Sequence, residues 1–320
     1  MSDKSSIQNI VKLSIPIFFA NLVIPLVAIV DTGLMGNLDN ASYLTATSIA
    51  SSVFSLIFWS FGFLRMGTVG IVAQAHGSKQ YEEVVNLVFR NIAFVILISL
   101  LLIAFQKYIF TISLSIFILS DDTTKYFKEY FDLRIYSSFG ELIIYIITGL
   151  FIGLQKTKIS SLAVGFFSIT NIIFSLLFVL YFDLNVKGVA LGTVISSTLT
   201  AIIFLCYTFF ELQKFTSIKI NLAKIFNIKK IQNLFNINLD IFIRSALLTF
   251  SFLFFTYLGN TISEEVVAAN TILLNLIMLS AFILDAYAFS TEGIVGYSIG
   301  SKNKKLLTNF IKCQLLKQKL

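Results

Sequence analysis

The chain has two cysteines, two prolines, one histidine and one tryptophan among 320 residues. Cys206 falls in an apolar stretch and Cys313 in a basic tail, which offers neither a disulfide framework nor metal-ligand spacing. His76, the single histidine, cannot supply an H-E-x-x-H zinc site, and no G-x-S-x-G nucleophile turn is found. The chain is therefore not expected to be an enzyme. Charge is scarce too: 13% of residues are Asp, Glu, Lys or Arg, against about 25% in soluble domains. With 57% hydrophobic residues, that scarcity excludes a water-soluble globular domain.

What the chain has is long apolar runs. Eight helices are expected, over 13–34, 44–72, 84–106, 127–154, 159–182, 186–210, 234–258 and 264–299. Each reaches or exceeds the roughly 20 residues that cross a bilayer. The expectation is an all-α polytopic membrane protein. Its net charge of +7 orients it in a membrane rather than pointing to nucleic acid. With cytoplasmic termini, 17 of the 24 Lys and Arg fall on the inner side. Four (Lys107, Lys125, Lys128, Lys187) fall outside and three (Arg65, Arg134, Arg244) lie within helices. That bias follows the positive-inside rule. The apolar run behind Lys4 and Lys12 shows no convincing cleavage site and carries Asp31, so it reads as an uncleaved first helix. The expected location is the cytoplasmic membrane.

A repeat divides the chain. Gly70-Ile71-Val72 with Gly77-Ser78-Lys79 recurs 223 residues later as Gly293-Ile294-Val295 with Gly300-Ser301-Lys302. Such repeats are common in secondary transporters, whose substrate sites lie between them. The expected organisation is 1–210 as six spans, 211–233 as a basic cytoplasmic linker, and 234–320 as two spans with a basic tail. An even number of spans before the linker makes the repeat parallel.

Ionisable side chains in hydrocarbon cost about 2.5–3.5 kcal/mol each on insertion scales and need a reason to be there. Asp31 follows Pro16, Asn21 and Pro25 in the first helix. Prolines free backbone carbonyls, and a carboxylate beside such a bend can take up and release a cation. The bland alternative places Asp31 at a helix end in the headgroup region, given Gly33, Gly36 and Asp39 nearby. Asp285 and Glu292 are two turns apart on one helix. Arg244 on the preceding span can neutralise one of them, or pair with Asp240 one turn earlier. Asn171 and Thr193 are polar residues on the fifth and sixth spans, suited to interhelical hydrogen bonds. Some of the 34 phenylalanines could line a cavity for flat organic cations.

At these residues the chain resembles the multidrug and toxic compound extrusion (MATE) family, and within it the DNA-damage-inducible F (DinF) type. The segments are Ile15-Pro16 through Asn21 and Pro25, Val30-Asp31-Thr32-Gly33-Leu34-Met35-Gly36, Phe63-Leu64-Arg65-Met66 and Ala73-Gln74-Ala75-His76-Gly77. They continue with Asn185-Val186-Lys187-Gly188, Asp240-Ile241-Phe242-Ile243-Arg244-Ser245, and Leu284-Asp285-Ala286 through Glu292. The resemblance implies a twelve-helix transporter of two lobes that exports organic cations and other toxic compounds in exchange for H+ or Na+, with no other cofactor. It implies a coupling role for Asp31, with Asn171 and Thr193 in the same polar region and Asn21 in a matching segment of the first helix. Arg244, Asp285 and Glu292, read from the residues themselves, form a second charge cluster that is either a structural charge network or a second cation site. A carboxylate expected four residues after Asn171 is replaced by Ser175, and Asp183 lies too far along to substitute. The family's helices nine to twelve have no counterpart here. The resulting expectation is a MATE-type bundle with a complete six-helix N-lobe and the first two C-lobe helices. Its partners would be small toxic substrates, the bilayer and a separately encoded C-terminal complement. The alternatives are a lipid-linked oligosaccharide flippase of the same superfamily and a non-functional fragment.

Overall fold

The computed structural model describes residues 3–38, 40–117, 119–215, 222–262, 264–305 and 307–308, without the side chains of 3–9 and of scattered positions from 222 to 282. The described residues are helical almost throughout and contain no strand. In chain order the helices are α1 (Asp3–Gly36), α2 (Ala41–Ser60), α3 (Phe63–Gly77), α4 (Tyr81–Ala104), α5 (Gln106–Ile116) and α6 (Asp121–Arg134). They continue as α7 (Ser138–Gly153), α8 (Thr157–Leu176), α9 (Asn185–Gln213), the single turn α10 (Leu222–Ile225), α11 (Ile228–Ile262) and α12 (Glu264–Gly300).

Among the described residues six stretches are long and apolar enough to cross a membrane: Ile10–Gly36, Ala41–Gly77, Tyr81–Ala104, Asp121–Gly153, Thr157–Tyr181 and Asn185–Gln213. This is a multi-pass membrane protein. The second span breaks at Phe61–Gly62 between α2 and α3, and the fourth at the 3-10 turn Ile135–Ser137 between α6 and α7. α11 and α12, at 35 and 37 residues, cover the last two expected helices. Pro16 and Pro25 both lie inside the unbroken α1.

α7 is the axis of the six-helix group. Its sequence is apolar around nearly the whole circumference, and nearly all its side chains are buried, as a helix without a polar face requires. Its Gly149 lets α3 approach closely: a Cβ there would stand 2.6 Å from the Arg65 carbonyl oxygen. Around it Phe54, Phe127, Phe131 and Phe151 fill one continuous core. Apolar side chains of α1, α4, α8 and α11 (Phe19, Leu100, Ile169, Leu247) point outward, as a lipid-facing surface demands.

Three features differ from expectation. α5 is an additional helix, packed on the core through Phe110 against Phe127 at 5.2 Å. Without Gly or Pro ahead of it, only Phe105 marks the break after α4, so the apolar run reads as one helix ending near 106. Arg90, counted among the inner-side loop residues, is instead buried in α4. Its Nε donates to the Ile225 carbonyl at 2.8 Å and its Nη2 to Lys224 at 3.2 Å, so it ties α10 to the bundle. Lys125 and Lys128 lie in α6 rather than in a loop. Of the expected linker, 216–221 lies outside the described residues, as does 309–320 of the basic tail.

The repeat has a physical counterpart. Lys79 and Lys302 both adopt left-handed backbone, at φ 58° and 54°. Each closes its helix by the same pair of bonds: Gln80 N–H to Ala75 at 2.8 Å and Lys79 N–H to His76 at 3.1 Å, then Asn303 to Ser298 at 3.1 Å and Lys302 to Ile299 at 3.0 Å. Such a left-handed residue with a six-to-one bond is a common way to satisfy terminal carbonyls. The two ends also pack against each other. A Cβ on Gly77 would lie 2.2 Å from the Tyr297 oxygen, and one on Gly300 would lie 2.0 Å from the Gln74 oxygen. Tyr297 and Gln74 are themselves 223 residues apart, so the crossing is reciprocal.

Candidate functional site

Asp31 sits inside α1, five residues before its end, rather than at the helix terminus. It is half-buried, and its Oδ1 is shielded from solvent without a hydrogen-bond partner. Ser175 of α8 faces the carboxylate, and the Arg134 charge acts on it from α6. One turn before Ser175, Asn171 donates from Nδ2 to Thr193 Oγ1 of α9 at 2.9 Å. Thr193 in turn donates to the Val189 carbonyl at 3.1 Å. Asn171 Oδ1 and Ser175 Oγ are left buried without partners. Three buried oxygens of Asp31, Asn171 and Ser175 thus have unused acceptor capacity, the inventory a small cation or a proton with water requires.

Ser175 stands immediately ahead of a change in helix type. After α8 the chain continues as a π-helical segment, Leu177–Tyr181, whose Phe182 N–H reaches the Leu177 carbonyl at 3.3 Å. Such single-turn widenings recur at functional positions. Asp183 follows in the exposed loop at φ 52°, remote in kind from the buried group. Asn21 is buried on α1, but ten residues before Asp31 places it about 15 Å along the helix. The structure does not bring it to the Asp31 group.

Beside this group lies an ion pair not foreseen as a unit. Arg134 at the end of α6 bonds to Glu141 at the start of α7 and to Ser137 in the intervening turn. Its guanidinium also lies 5.2 Å from the Phe54 and Phe58 rings. The seven-residue spacing of Arg134 and Glu141, two helical turns, was the available signal. At the C-terminal end of α9 Glu211 pairs with Lys156 and with Lys214 at 2.8 Å, and its carboxylate holds the Lys214 ammonium above the usual range.

The second expected cluster spans the seam between α3 and α12. Arg65 of α3 lies with Cζ 4.0 Å above the Phe289 ring of α12. Asp285 and Glu292 act on it electrostatically, and Arg244 acts on Glu292. Arg244 reaches Met66 Sδ at 3.8 Å, and among the described residues it forms no ion pair with Asp240. Arg65 and Phe289 were not joined at sequence level, because nothing in either local segment points to the other.

Six membrane-length helices among the described residues, with a buried polar group at Asp31, Asn171 and Ser175 and a charged seam between α3 and α12, define a polytopic membrane bundle. The MatE family model matches residues 16–177, and the chain belongs to that family. It is 27% identical over 248 residues to DNA damage-inducible protein F of Escherichia coli (strain K12), covering 78% of this chain and 54% of that protein. With multidrug export protein MepA of Staphylococcus aureus (strain bovine RF122 / ET3-1) it shares 24% over 242 residues, 74% of this chain and 52% of the relative. The chain spans about half the length of these curated relatives. The fold matches a MOP superfamily transporter from Pyrococcus furiosus at TM-score 0.85 and 19% identity, over 95% of this chain and 67% of the other. It matches an outward-facing multidrug resistance MATE family transporter at TM-score 0.84 and 19% identity, over 95% and 68%.

Proposed function

We propose that this chain works as a DinF-like MATE antiporter of the cytoplasmic membrane, N-terminus inside, exporting organic cations in exchange for H+ or Na+. The observation that carries this reading is the Asp31 carboxylate, half-buried in the bundle with one shielded oxygen unpartnered. An ion or proton that neutralises it removes the cost of a lone charge there. Its departure leaves a carboxylate that favours a cationic substrate. Binding of the two is thereby exclusive, which is the condition for exchange. One elementary charge crossing the membrane potential supplies roughly 2.3 kcal/mol per 100 mV.

The Gly77 and Gly300 crossing holds the C-terminal ends of α3 and α12 against one another. Ser175 in place of a carboxylate leaves one acidic ligand in the group, which favours proton over sodium coupling. A flippase for lipid-linked oligosaccharides calls for a strongly cationic cavity, and Arg134 is already neutralised by Glu141. The test is proton flux evoked by an organic cation in proteoliposomes containing the chain. Asp31→Asn is expected to reduce that flux to the empty-vesicle level; unchanged flux removes Asp31 from the mechanism.

A further inference from the structure

Asp285, Phe289 and Glu292 are spaced i−4, i, i+3, so they share one face of α12, with a carboxylate one turn to either side of an aromatic ring. An aromatic face with flanking negative charge is the chemistry that recognises planar organic cations. In this structure that position holds the guanidinium of Arg65, itself a planar organic cation, 4.0 Å above the ring. Its tether is short on alternatives. The Arg65 Nε is shielded from solvent without a hydrogen-bond partner, and among the described residues no carboxylate lies within ion-pair distance. The ring is 3% exposed, packed beside Ile17, Val69 and Ile152, so the contact is largely desolvated. Asp285 is exposed and Glu292 half-exposed, which keeps the edge of the site reachable.

We propose that the Asp285, Phe289 and Glu292 face of α12 is a second organic-cation site, and that Arg65 occupies it as a built-in competitor. A guanidinium bound by a stacked face and distant carboxylates, without a direct ion pair, is held firmly enough to fill the site and loosely enough to leave it. Because α3 is pinned at this level by Gly149, the exchange requires a rotamer change of one side chain rather than movement of the helix. The site lies between the repeat halves, so its emptying and filling couples cation occupancy to the seam. This rests on the reading that the chain handles organic cations. It does not rest on Asp31, and binding rather than flux reports it.

The experiment is equilibrium binding of ethidium, a flat fluorescent cation, to the purified protein in detergent without an ion gradient. Arg65→Ala is expected to raise affinity at least about tenfold, since the competitor is gone. Phe289→Leu and Glu292→Gln, each combined with Arg65→Ala, are expected to abolish the gain. Arg65→Gln, which keeps a polar stem, serves if Arg65→Ala does not yield a monodisperse protein. No gain, or a loss, in the folded Arg65 variant overturns the proposal. So does a gain that survives both additional substitutions, because the ethidium is then bound elsewhere. Unchanged flux in Asp31→Asn would overturn the coupling role of Asp31 and leave this result standing.

Discussion

Two half-buried arginines in this bundle are held in opposite ways. Arg134 is neutralised by its own segment: Glu141 and Ser137 bond to it, and Phe54 and Phe58 flank it. Arg65 takes its ring and its acidic neighbours from α12 and makes no ion pair among the described residues. A charge satisfied within one folding unit stays put through any relative movement of the halves. A charge satisfied across the seam loses its partners when the halves part. The first is a fixture of the six-helix group, and the second reports on the seam.

The comparison breaks most visibly at Glu141. Glu141→Ala leaves Arg134 as an uncompensated buried charge, and removing one partner of such a pair costs about 3–5 kcal/mol. The expected outcome is a large fall in thermal midpoint, read by size-exclusion of heated detergent samples. Arg65→Ala should shift that midpoint far less, because it removes a charge that has no paired carboxylate to strand. Equal shifts would mean that both arginines are structural fixtures.

A smaller but more local break lies at the crossing of α3 and α12. Gly300→Ala places a methyl 2.0 Å from the Gln74 oxygen, where only backbone can yield. Overpacking of this kind costs about 1–3 kcal/mol. The reciprocal contact predicts the same outcome for Gly77→Ala, with the double variant adding less than the sum, since one separation relieves both clashes. A pair of cysteines at Ser78 and Ser301, crosslinked in the wild-type background, should lose crosslinking yield in either alanine variant.

How far these relations were legible in the sequence depends on how local their causes are. Eight apolar runs specify where the chain is helical, but the second is broken at Phe61–Gly62 and the fourth at Ile135–Ser137, where no Pro marks the break. The G-S-K repeat was visible as a pattern, yet read as two basic loops. Its role as a pair of left-handed caps and a glycine crossing needed the third dimension, because Gly77 is explained by Tyr297 and not by its neighbours. Asn171 and Thr193 were legible as polar positions on adjacent spans, suited to interhelical hydrogen bonds, and they bond to each other. Asn21 was grouped with them by the family pattern, but axial rise along one helix separates it from Asp31. The Arg65 stack on Phe289 joins residues 224 positions apart and left no periodic trace.

The smallest expected effect tests whether the Asp31 group is built for binding rather than for holding helices together. Interhelical hydrogen bonds in membranes average roughly 0.6 kcal/mol, so Asn171→Ala should move the thermal midpoint by little. Ser175→Asp restores a second carboxylate beside Asp31 at a position already buried and unpartnered. Two carboxylates with Asn171 Oδ1 offer a harder, more negative oxygen set, which suits Na+ better than one carboxylate does. Ser175→Asp is therefore expected to make thermal stability depend on Na+ where the wild type is indifferent between Na+ and K+. Arg134 limits this gain, because its charge already acts on Asp31 from across the bundle. A variant that stays indifferent to Na+ would show that the free oxygens belong to packing, and the contrast with the seam would then rest on Arg65 alone.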